Sequence, residues 1–314
     1  MLARMPDKPA NGSNCPAASA RAPRVAPPNQ ADAAHLRVAS PGLQGAVLCA
    51  ISRDFGTALS AAQRLTHLPA TPFIGLCCFQ GCAAGLVQHT AVGPQWRPFA
   101  ADAMIFGSQS LPTVCWCAKP GRAVLVLFTA DVARHLFGLD PTALHETFEA
   151  AHEALHESWW PLLAALQSAP DDATTLAALD HHLAARWQVL RGAPGSTPSI
   201  RQIGRHWLER LALQAGQWSR THSARQVERR IKSMSGRSLR EWQTLVRAEG
   251  AFHLARDRWQ AGQPFDWAGI AVDEGFADQS HLVRAAKRIT GFSPTAFAER
   301  YIADESFWLY RLWV

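Results

Sequence analysis

The sequence contains no apolar stretch long enough to cross a membrane. Its longest apolar run, about eight residues from Ala123 to Ala130, falls short of the roughly 18 that a membrane helix needs, and it is better suited to a buried strand. The first residues have no apolar core followed by a cleavage site. We therefore expect neither membrane association nor export, and we expect a cytoplasmic protein.

Signatures of enzymatic chemistry are also scarce. There is no glycine-rich phosphate loop and no nucleophile elbow. The seven cysteines, an odd number without an export signal, are expected to be reduced thiols. Five of them raise the question of a metal or redox site, but their spacings fit no paired zinc knuckle; they are Cys77, Cys78, Cys82, Cys115 and Cys117. Buried structural thiols are the interpretation we favour, and we predict no enzyme activity, no cofactor and no metal.

The positive charge is concentrated in the last third of the chain. Residues 1–198 contain 13 Lys+Arg and 13 Asp+Glu, whereas residues 199–314 contain 18 and 12, so the difference of 18 − 12 = 6 accounts for the whole net charge of +6. A basic domain beside a neutral one fits nucleic-acid binding better than general adhesiveness. Residues 199–314 are therefore the candidate polyanion-binding region.

The pattern along the chain predicts two domains. Residues 1–42, rich in Pro and Ala and without periodicity, are predicted to be a disordered leader. Residues 43–192 are predicted to form a mixed α+β domain with strands first and helices after, residues 193–198 a linker, and residues 199–314 an all-α domain. The predicted strands are Phe73–Phe79, Ala103–Phe106, Thr113–Cys117 and Ala123–Phe128, and the predicted helical segments are Pro141–Gln167 and Asp171–Leu190.

A helix, a turn and a second helix are predicted between Asp266 and Pro294. Asp266 and Asp278 stand where N-terminal caps are needed, and Gly275 and Gly291 can adopt the positive φ that ends a helix. The second helix has an apolar face, Leu282, Ala285, Ala286 and Ile289, and a polar face, Ser280, Val283, Arg284 and Lys287. Short polar groups near the helix start can reach base edges, and cations further along can hold phosphates. The pattern is typical of a DNA recognition helix.

A similar unit occurs about 54 residues earlier. A helix is predicted to begin at the cap Ser223 and to end near Gly236, with Val227, Ile231 and Met234 facing inward and with Arg225, Glu228, Arg229 and Lys232 facing outward. Residues 239–260 are predicted to form one long helix whose buried side consists of Trp242, Leu245, Val246 and Leu254. Such a spacer would hold two recognition helices at a fixed separation, which suits insertion into successive major-groove turns.

These residues carry a resemblance to the AraC/XylS family of bacterial transcriptional regulators. The second unit matches the family pattern in order through Ile270 Ala271, Gly275 Phe276, Asp278 Gln279 Ser280 His281, Arg284, Lys287 Arg288 and Gly291 Phe292 Ser293 Pro294. The first unit matches through Ser223, Arg225 Gln226, Glu228 Arg229 Arg230, Gly236 and Arg247. Ile231 and Ala286 stand where the family usually has Phe, so we expect different core packing there. The resemblance covers about a third of the chain.

The resemblance implies a fold, a function and a set of contacts. The fold is an α+β sensor-like domain followed by an all-α domain with two helix-turn-helix units joined by a long helix. The implied function is sequence-specific binding of double-stranded DNA that regulates promoters. The N-terminal domain would modulate this binding through a small-molecule effector or through a partner subunit, such as a second copy of the chain. RNA polymerase would be a further partner if the protein is an activator. The implied base contacts are Arg225, Glu228, Arg229, Gln279, Ser280 and Val283, and the implied phosphate contacts are Arg230, Lys232, Arg284 and Lys287.

Three alternative interpretations remain. His152, Glu153 and His156 spell the HExxH signature of zinc peptidases on a predicted helix, with His145 on the same face, which would make the chain a metallohydrolase. No downstream third ligand is evident, and a solvated histidine face is the interpretation we favour. Trp159 and Trp160 could stack on single-stranded nucleic acid, although helical spacing favours core packing. The third alternative is a scaffold that keeps the fold without binding DNA.

The apolar tail, 307–314, is expected to fold back onto a domain face or a partner.

Overall fold

The computed structural model describes residues 15–25, 33–91, 93–191 and 203–313. The predicted linker, 193–198, and residues 1–14 and 26–32 of the predicted leader lie outside these ranges. The strands of the N-terminal domain are β1 Ala34–Val38, β2 Val47–Phe55, β3 Leu65–Leu68, β4 Ile74–Gln80, β5 Ala84–Thr90, β6 Gly93–Pro98, β7 Ala103–Phe106, β8 Thr113–Cys117, β9 Gly121–Phe128 and β10 Phe148–Ala150. They form two antiparallel sheets in the order β1-β2-β9-β4-β7-β10 and β3-β8-β5-β6.

Both faces of the six-stranded sheet are buried. Alternate residues of each strand point to opposite sides, so Leu125 and Leu127 pack on one side while Val124 and Val126 pack on the other. The second side is covered by the helices α1 Ala130–Phe137, α3 Trp160–Ser168 and α4 Asp172–Arg191. The first side shares a continuous apolar core with the C-terminal domain. This arrangement explains the uninterrupted apolar runs of the central strands.

The structure corrects the prediction of one helical segment from Pro141 to Gln167. Turns after Pro141 lead into β10, and the single-turn helix α2 Ala151–Ala154 ends where Leu155 becomes extended. A 3-10 turn over 157–159 precedes α3, in which Pro161 occupies the first turn. Because Pro lacks an N–H and clashes with the preceding turn, a helix cannot run through this position.

The structure also differs from the prediction of an unfolded leader over residues 1–42. Strand β1 pairs along its length with β2. Residues 22–24 run beside the end of the chain, where the N–H of Glu305 donates to the carbonyl of Ala22 at 2.7 Å. The strand Ala34–Val38 is short and follows an Ala- and Pro-rich segment, whose residues have little intrinsic preference for strands, so the composition of the region conceals it.

The helices of the C-terminal domain are α5 Ile203–Trp218, α6 Ala224–Ser235, α7 Leu239–Gln260, α8 Trp267–Asp273, α9 Gln279–Thr290, α10 Pro294–Ala303 and α11 Trp308–Trp313. Pairs α5/α6 and α8/α9 are the two helix-turn-helix units, and α7 joins them, which confirms the predicted architecture. No helix among the described residues is long and apolar enough to cross a membrane.

The apolar tail folds back onto the N-terminal domain. Residues Phe307 to Tyr310 are buried, and α11 packs against β1 and β3. The indole N–H of Trp308 donates to Oγ1 of Thr66 at 3.0 Å. A buried ion pair joins Arg53 of β2 to Glu305 with an N–O distance of 2.6 Å, and the guanidinium lies 4.7 Å from the Trp308 ring centroid. The two domains are therefore packed together through the end of the chain.

Candidate nucleic-acid interface

The helix α9 begins and ends at the predicted residues. The Asp278 carboxylate accepts a hydrogen bond of 2.7 Å from the N–H of His281, and Gly291 ends the helix with φ of +84°. A carboxylate at this position satisfies an otherwise unpaired N–H and interacts favourably with the helix dipole. The predicted inner face is buried: Leu282, Ala285, Ala286 and Ile289 are at most 8% exposed.

The opposite face of α9 is open to solvent. Gln279, Ser280, Arg284 and Lys287 are exposed, and Val283 is half-buried. Within the described part of the chain, neither Arg284 nor Lys287 has a carboxylate within 4.0 Å. Their charges are therefore available to an external anion, while the amide of Gln279 stands in the first turn, where a helix tip meets base edges.

Arg288 differs from these two cations because it anchors α9 to the connecting helix. Its Nη2 lies 2.6 Å from Oε1 of Glu241, in the first turn of α7. Burial raises the pKa of Glu241, but hydrogen bonds from the backbone and hydroxyl of Ser238 and from Arg288 outweigh this effect and lower the pKa to about 2. Glu241 is thus charged at neutral pH and serves both the cap of α7 and the contact to α9.

The turn of the second unit is held by α7 as well. Asp266 caps α8 by accepting from the N–H of Gly269 at 3.0 Å, and Phe276 is buried at the corner with 4% exposure. Nη1 of Arg247 donates to the carbonyl of Gly275 at 2.9 Å. A guanidinium at the end of a helix satisfies a carbonyl that the helix leaves unpaired. Arg247 therefore acts on the geometry of the turn.

The first unit presents α6 in a comparable way. Ser223 and Gln226 form a reciprocal capping box, and Gly236 ends the helix with φ of +82°. The predicted contact residues Arg225, Glu228, Arg229, Arg230 and Lys232 are all exposed. Two of the cations are engaged within the domain.

The engaged cations of α6 are Lys232 and Arg230. Nζ of Lys232 lies 2.9 Å from Oε1 of Glu228, which raises the pKa of Lys232. The guanidinium of Arg230 lies 5.5 Å from the ring centroid of Trp218 on α5. Arg225 and Arg229 have no ion pair with the described residues. These two arginines are the most available cations of the first unit.

The helix α7 ties both units together. Its predicted buried side is confirmed for Trp242, Leu245 and Val246, and Leu254 is half-buried. The indole N–H of Trp242 donates to Oγ of Ser235 at the end of α6 with a distance of 2.9 Å. With the Glu241 contact to α9, the first turn of α7 touches both candidate recognition helices. Their separation is therefore fixed by buried and charge-assisted contacts.

Two hydrogen bonds from the N-terminal domain reach the two candidate recognition helices near their C-terminal ends. The hydroxyl of Thr142 donates to the carbonyl of Ser233 near the end of α6. The N–H of Ala70 donates to the carbonyl of Ile289 near the end of α9 at 2.9 Å. A bidentate pair between Arg210 of α5 and Asp131, at 2.8 and 2.9 Å, adds a third contact. The first-turn residues Arg225, Gln226, Gln279 and Ser280 are exposed.

The HExxH segment does not form the geometry of a zinc peptidase. His152 and Glu153 lie on the single-turn helix α2, while His156 lies beyond its end and accepts a 3.2 Å hydrogen bond from the N–H of Ser158. His145 instead contacts Oγ of Ser108 at 2.8 Å. Among the described residues, no group of three or more His, Cys, Asp or Glu could hold a metal ion.

The other alternative sites involve Trp159 and several cysteines that are buried. Trp159 is 4% exposed and packs on Phe137, whereas its neighbour Trp160 is half-exposed. Burial raises the pKa of the thiols of Cys77, Cys78 and Cys115. Protonated, buried thiols are poor nucleophiles. These residues therefore serve packing.

The geometry defines a class of protein: two capped helix-turn-helix units on one connecting helix form a DNA-binding domain of a transcription regulator. Residues 221–300 match the family model of a helix-turn-helix domain, and this domain is of the AraC type. This match confirms the resemblance for the C-terminal domain. A search of curated proteins found no match to the chain.

Solved structures similar to the chain come from ToxT of Vibrio cholerae. An apo ToxT variant from strain SCE256 is 12% identical, with 83% of this chain and 98% of that chain covered and a TM-score of 0.37. Wild-type ToxT from the same strain, described as bound to an unsaturated fatty acid, is 12% identical, with 76% and 94% covered and a TM-score of 0.36. A third ToxT structure is 10% identical, with 76% and 97% covered and a TM-score of 0.35.

Sequence reasoning missed the residues that hold the two units in place. Glu241, Arg288 and Ser235 are not contact residues in the predicted set, although they connect α6, α7 and α9. The Ser-x-x-Glu pattern at Ser238 and Glu241 was the available signal, since it marks a capping box. Nothing in the sequence near Glu241 indicates that it pairs with Arg288.

Proposed function

We propose that the protein recognises specific duplex DNA sequences with the N-terminal halves of α6 and α9 and regulates transcription from the promoters that contain them. The observation that carries this proposal is the solvent-exposed face of α9, whose cap, inner packing and uncommitted Arg284 and Lys287 leave Gln279 at the tip. Action on promoter DNA would place the protein in the cytoplasm, at the nucleoid.

The exposed residues divide into two roles. Arg225, Glu228 and Arg229 on α6 and Gln279, Ser280 and Val283 on α9 would contact base edges, because they stand in the first two turns of their helices. Arg230, Lys232, Arg284 and Lys287 would hold phosphates. Lys232 and Arg230 must give up their contacts with Glu228 and Trp218 to do so, and we therefore expect α9 to contribute more affinity than α6.

Modulation by the N-terminal domain would act through the contacts at the C-terminal ends of the two helices. Thr142 at Ser233 and Ala70 at Ile289 attach both candidate recognition helices to the same domain. An effector that shifts this domain would change how α6 and α9 are held, and so their joint fit to DNA. A second copy of the chain and RNA polymerase are the macromolecular partners that the resemblance implies.

The experiment selects duplexes from a random pool with the full chain and measures affinity for a selected and a scrambled duplex across a salt series. Gln279→Ala should cost about 1 to 3 kcal/mol on the selected duplex alone, without changing the salt slope. Arg284→Ala should weaken both duplexes alike and reduce the slope by about one. Arg134→Ala, which removes a half-exposed arginine of α1, is the matched control.

The outcomes separate the alternatives. Equal losses on both duplexes for Gln279→Ala and Arg284→Ala would contradict the division between base and phosphate contacts. Affinity that does not fall between low and moderate salt, or a selection that yields no common sequence, would leave the fold without DNA recognition and favour a scaffold. A footprint spanning two equivalent half-sites would indicate two bound chains.

A further inference from the structure

An apolar cavity lies between the two domains. Its space measures about 100 Å³. Ile51, Leu125 and Phe148 contribute its wall from the six-stranded sheet, and Val246, Ile289 and Tyr310 contribute its wall from α7, α9 and α11. For scale, an apolar protein cavity of roughly 150 Å³ stays dry and holds benzene. The cavity is therefore of the size that accommodates about one aromatic ring with little adjustment.

Two buried hydroxyls of the cavity lining have no hydrogen-bond partner among the described residues. The Tyr310 side chain is 95% buried, since only 5% of the residue is exposed, and its hydroxyl lacks a hydrogen bond among the described residues. Oγ1 of Thr113 is likewise buried and unpaired. Burial raises the pKa of Tyr310, so the hydroxyl stays protonated at neutral pH. Buried hydroxyls are usually hydrogen-bonded, and two unpaired ones in one cavity indicate an external partner.

The charge of the lining restricts what that partner can be. None of the described lining residues is Lys, Arg or His, and the one charged residue among them is Glu249. A carboxylate placed here would lose its hydration without gaining a cation from the described lining. An uncharged molecule avoids this cost.

We infer that this cavity binds a small, uncharged, largely apolar molecule of about the size of one aromatic ring, with a hydroxyl or carbonyl group that hydrogen-bonds to Tyr310. Its walls include α7 and α9, and the Ala70 contact to Ile289 lies at its edge. An occupant therefore touches the connecting helix and one candidate recognition helix together with the N-terminal sheets. A change of DNA affinity on occupancy rests on the proposed function, whereas binding itself does not.

The test compares three probes of similar shape on the full chain by ligand-observed NMR titration: benzyl alcohol, toluene and benzoate. Benzyl alcohol should bind about three- to tenfold more tightly than toluene, the worth of one net hydrogen bond, and benzoate at least about tenfold more weakly than benzyl alcohol. Tyr310→Phe should leave toluene affinity within about twofold and remove the preference for benzyl alcohol. Tyr301→Phe, at the only other tyrosine in the sequence, should keep that preference.

If the Tyr310→Phe variant loses the native circular dichroism spectrum, Thr113→Val is the second variant to test. Thr113→Val should also reduce the preference for benzyl alcohol over toluene. The inference is overturned when neither benzyl alcohol nor toluene binds up to its solubility, when benzoate binds best, or when the alcohol preference survives both substitutions.

DNA affinity is then measured with and without benzyl alcohol, and a change of at least about threefold is expected. Unchanged DNA affinity overturns the coupling, while a complete lack of DNA binding counts against the proposed function and leaves the cavity measurements intact.

Discussion

Replacement of Arg53 by Met should strongly destabilise the protein. Arg53 and Glu305 are 1% and 4% exposed and lie 2.6 Å apart, so each buried charge compensates the other directly. Removing one partner of a buried pair costs about 3 to 5 kcal/mol because the remaining charge is left in a medium of low polarity. The N–H of Val25, 3.1 Å from Glu305, and Arg311 at 4.0 Å give partial compensation. We therefore expect a loss near the lower end, about 3 kcal/mol.

The methionine side chain retains most of the packing of the arginine stem, so the measured loss of stability reflects the lost charge and not a lost volume. The double variant Arg53→Met, Glu305→Gln removes both charges and retains a side-chain oxygen that can accept from Val25. It should recover more than half of the lost stability, because replacing both partners costs far less than leaving one buried charge without its partner.

Urea unfolding followed by tryptophan fluorescence and by circular dichroism is the assay, and coincidence of the two transitions justifies a single free energy of unfolding. Trp308 stacks on the Arg53 guanidinium at 4.7 Å and is one of the twelve tryptophans that contribute to the fluorescence signal. A loss below about 1 kcal/mol in the single variant, or a double variant no more stable than the single one, would refute the argument that the pair joins the tail to the sheet.

Three further predictions concern the helix ends of the DNA-binding domain. Ser223→Ala should cost about 1 kcal/mol in urea unfolding, because it removes the cap of α6. Gly236→Ala should cost clearly more than the control Gly262→Ala: both glycines have positive φ, but only at Gly236 would a β-carbon lie 2.5 Å from Nδ1 of His145, and equal losses would contradict the contact. Glu241, whose pKa is lowered to about 2, stabilises the fold fully above its ordinary value of 4.5 and progressively less as pH falls toward 2. The stability difference between wild type and Glu241→Gln should therefore shrink across that interval, and a difference independent of pH would refute the assignment.

The helices of the C-terminal domain could be predicted closely because their signals are local. Ser223 and Asp278 cap through hydrogen bonds to residues three positions away, and Gly236 and Gly291 end helices through their own φ. Each of these effects depends on a handful of consecutive residues. The apolar stripe of α9 then fixes which face is buried.

The N-terminal domain could be predicted only in outline. Central strands such as β9 are buried on both faces, so the alternation that identifies a strand is lost from their sequence. The edge strand β6 contains Pro94 and Pro98, which argue against a strand although an edge tolerates them. The strand β1 depends on its partner β2, eleven or more residues away, and nothing within Ala34–Val38 announces the pairing.

For the candidate site, the sequence predicts which side chains of α6 and α9 are exposed, but it does not predict how these helices are attached to the rest of the protein. A helical wheel separates Arg284 from Leu282 without knowledge of the rest of the molecule. The contacts that decide how α6 and α9 are held, from Thr142 and Ala70, join residues far apart in sequence. Pairings at such separations depend on the tertiary fold, and no periodicity encodes them.

The position of these long-range contacts bears on how DNA binding could be regulated. A domain that covered the N-terminal halves of α6 and α9 would compete with DNA for the same surface, and its effect would be simple occlusion. The N-terminal domain instead contacts the opposite ends, near Ser233 and Ile289, and Arg225 and Gln279, which we propose to contact bases, are exposed. If the proposed function holds, regulation from this position would act on the relative placement of two helices that would have to fit one duplex together. Because such fit depends on displacements of about an ångström, a small change at the domain boundary is sufficient.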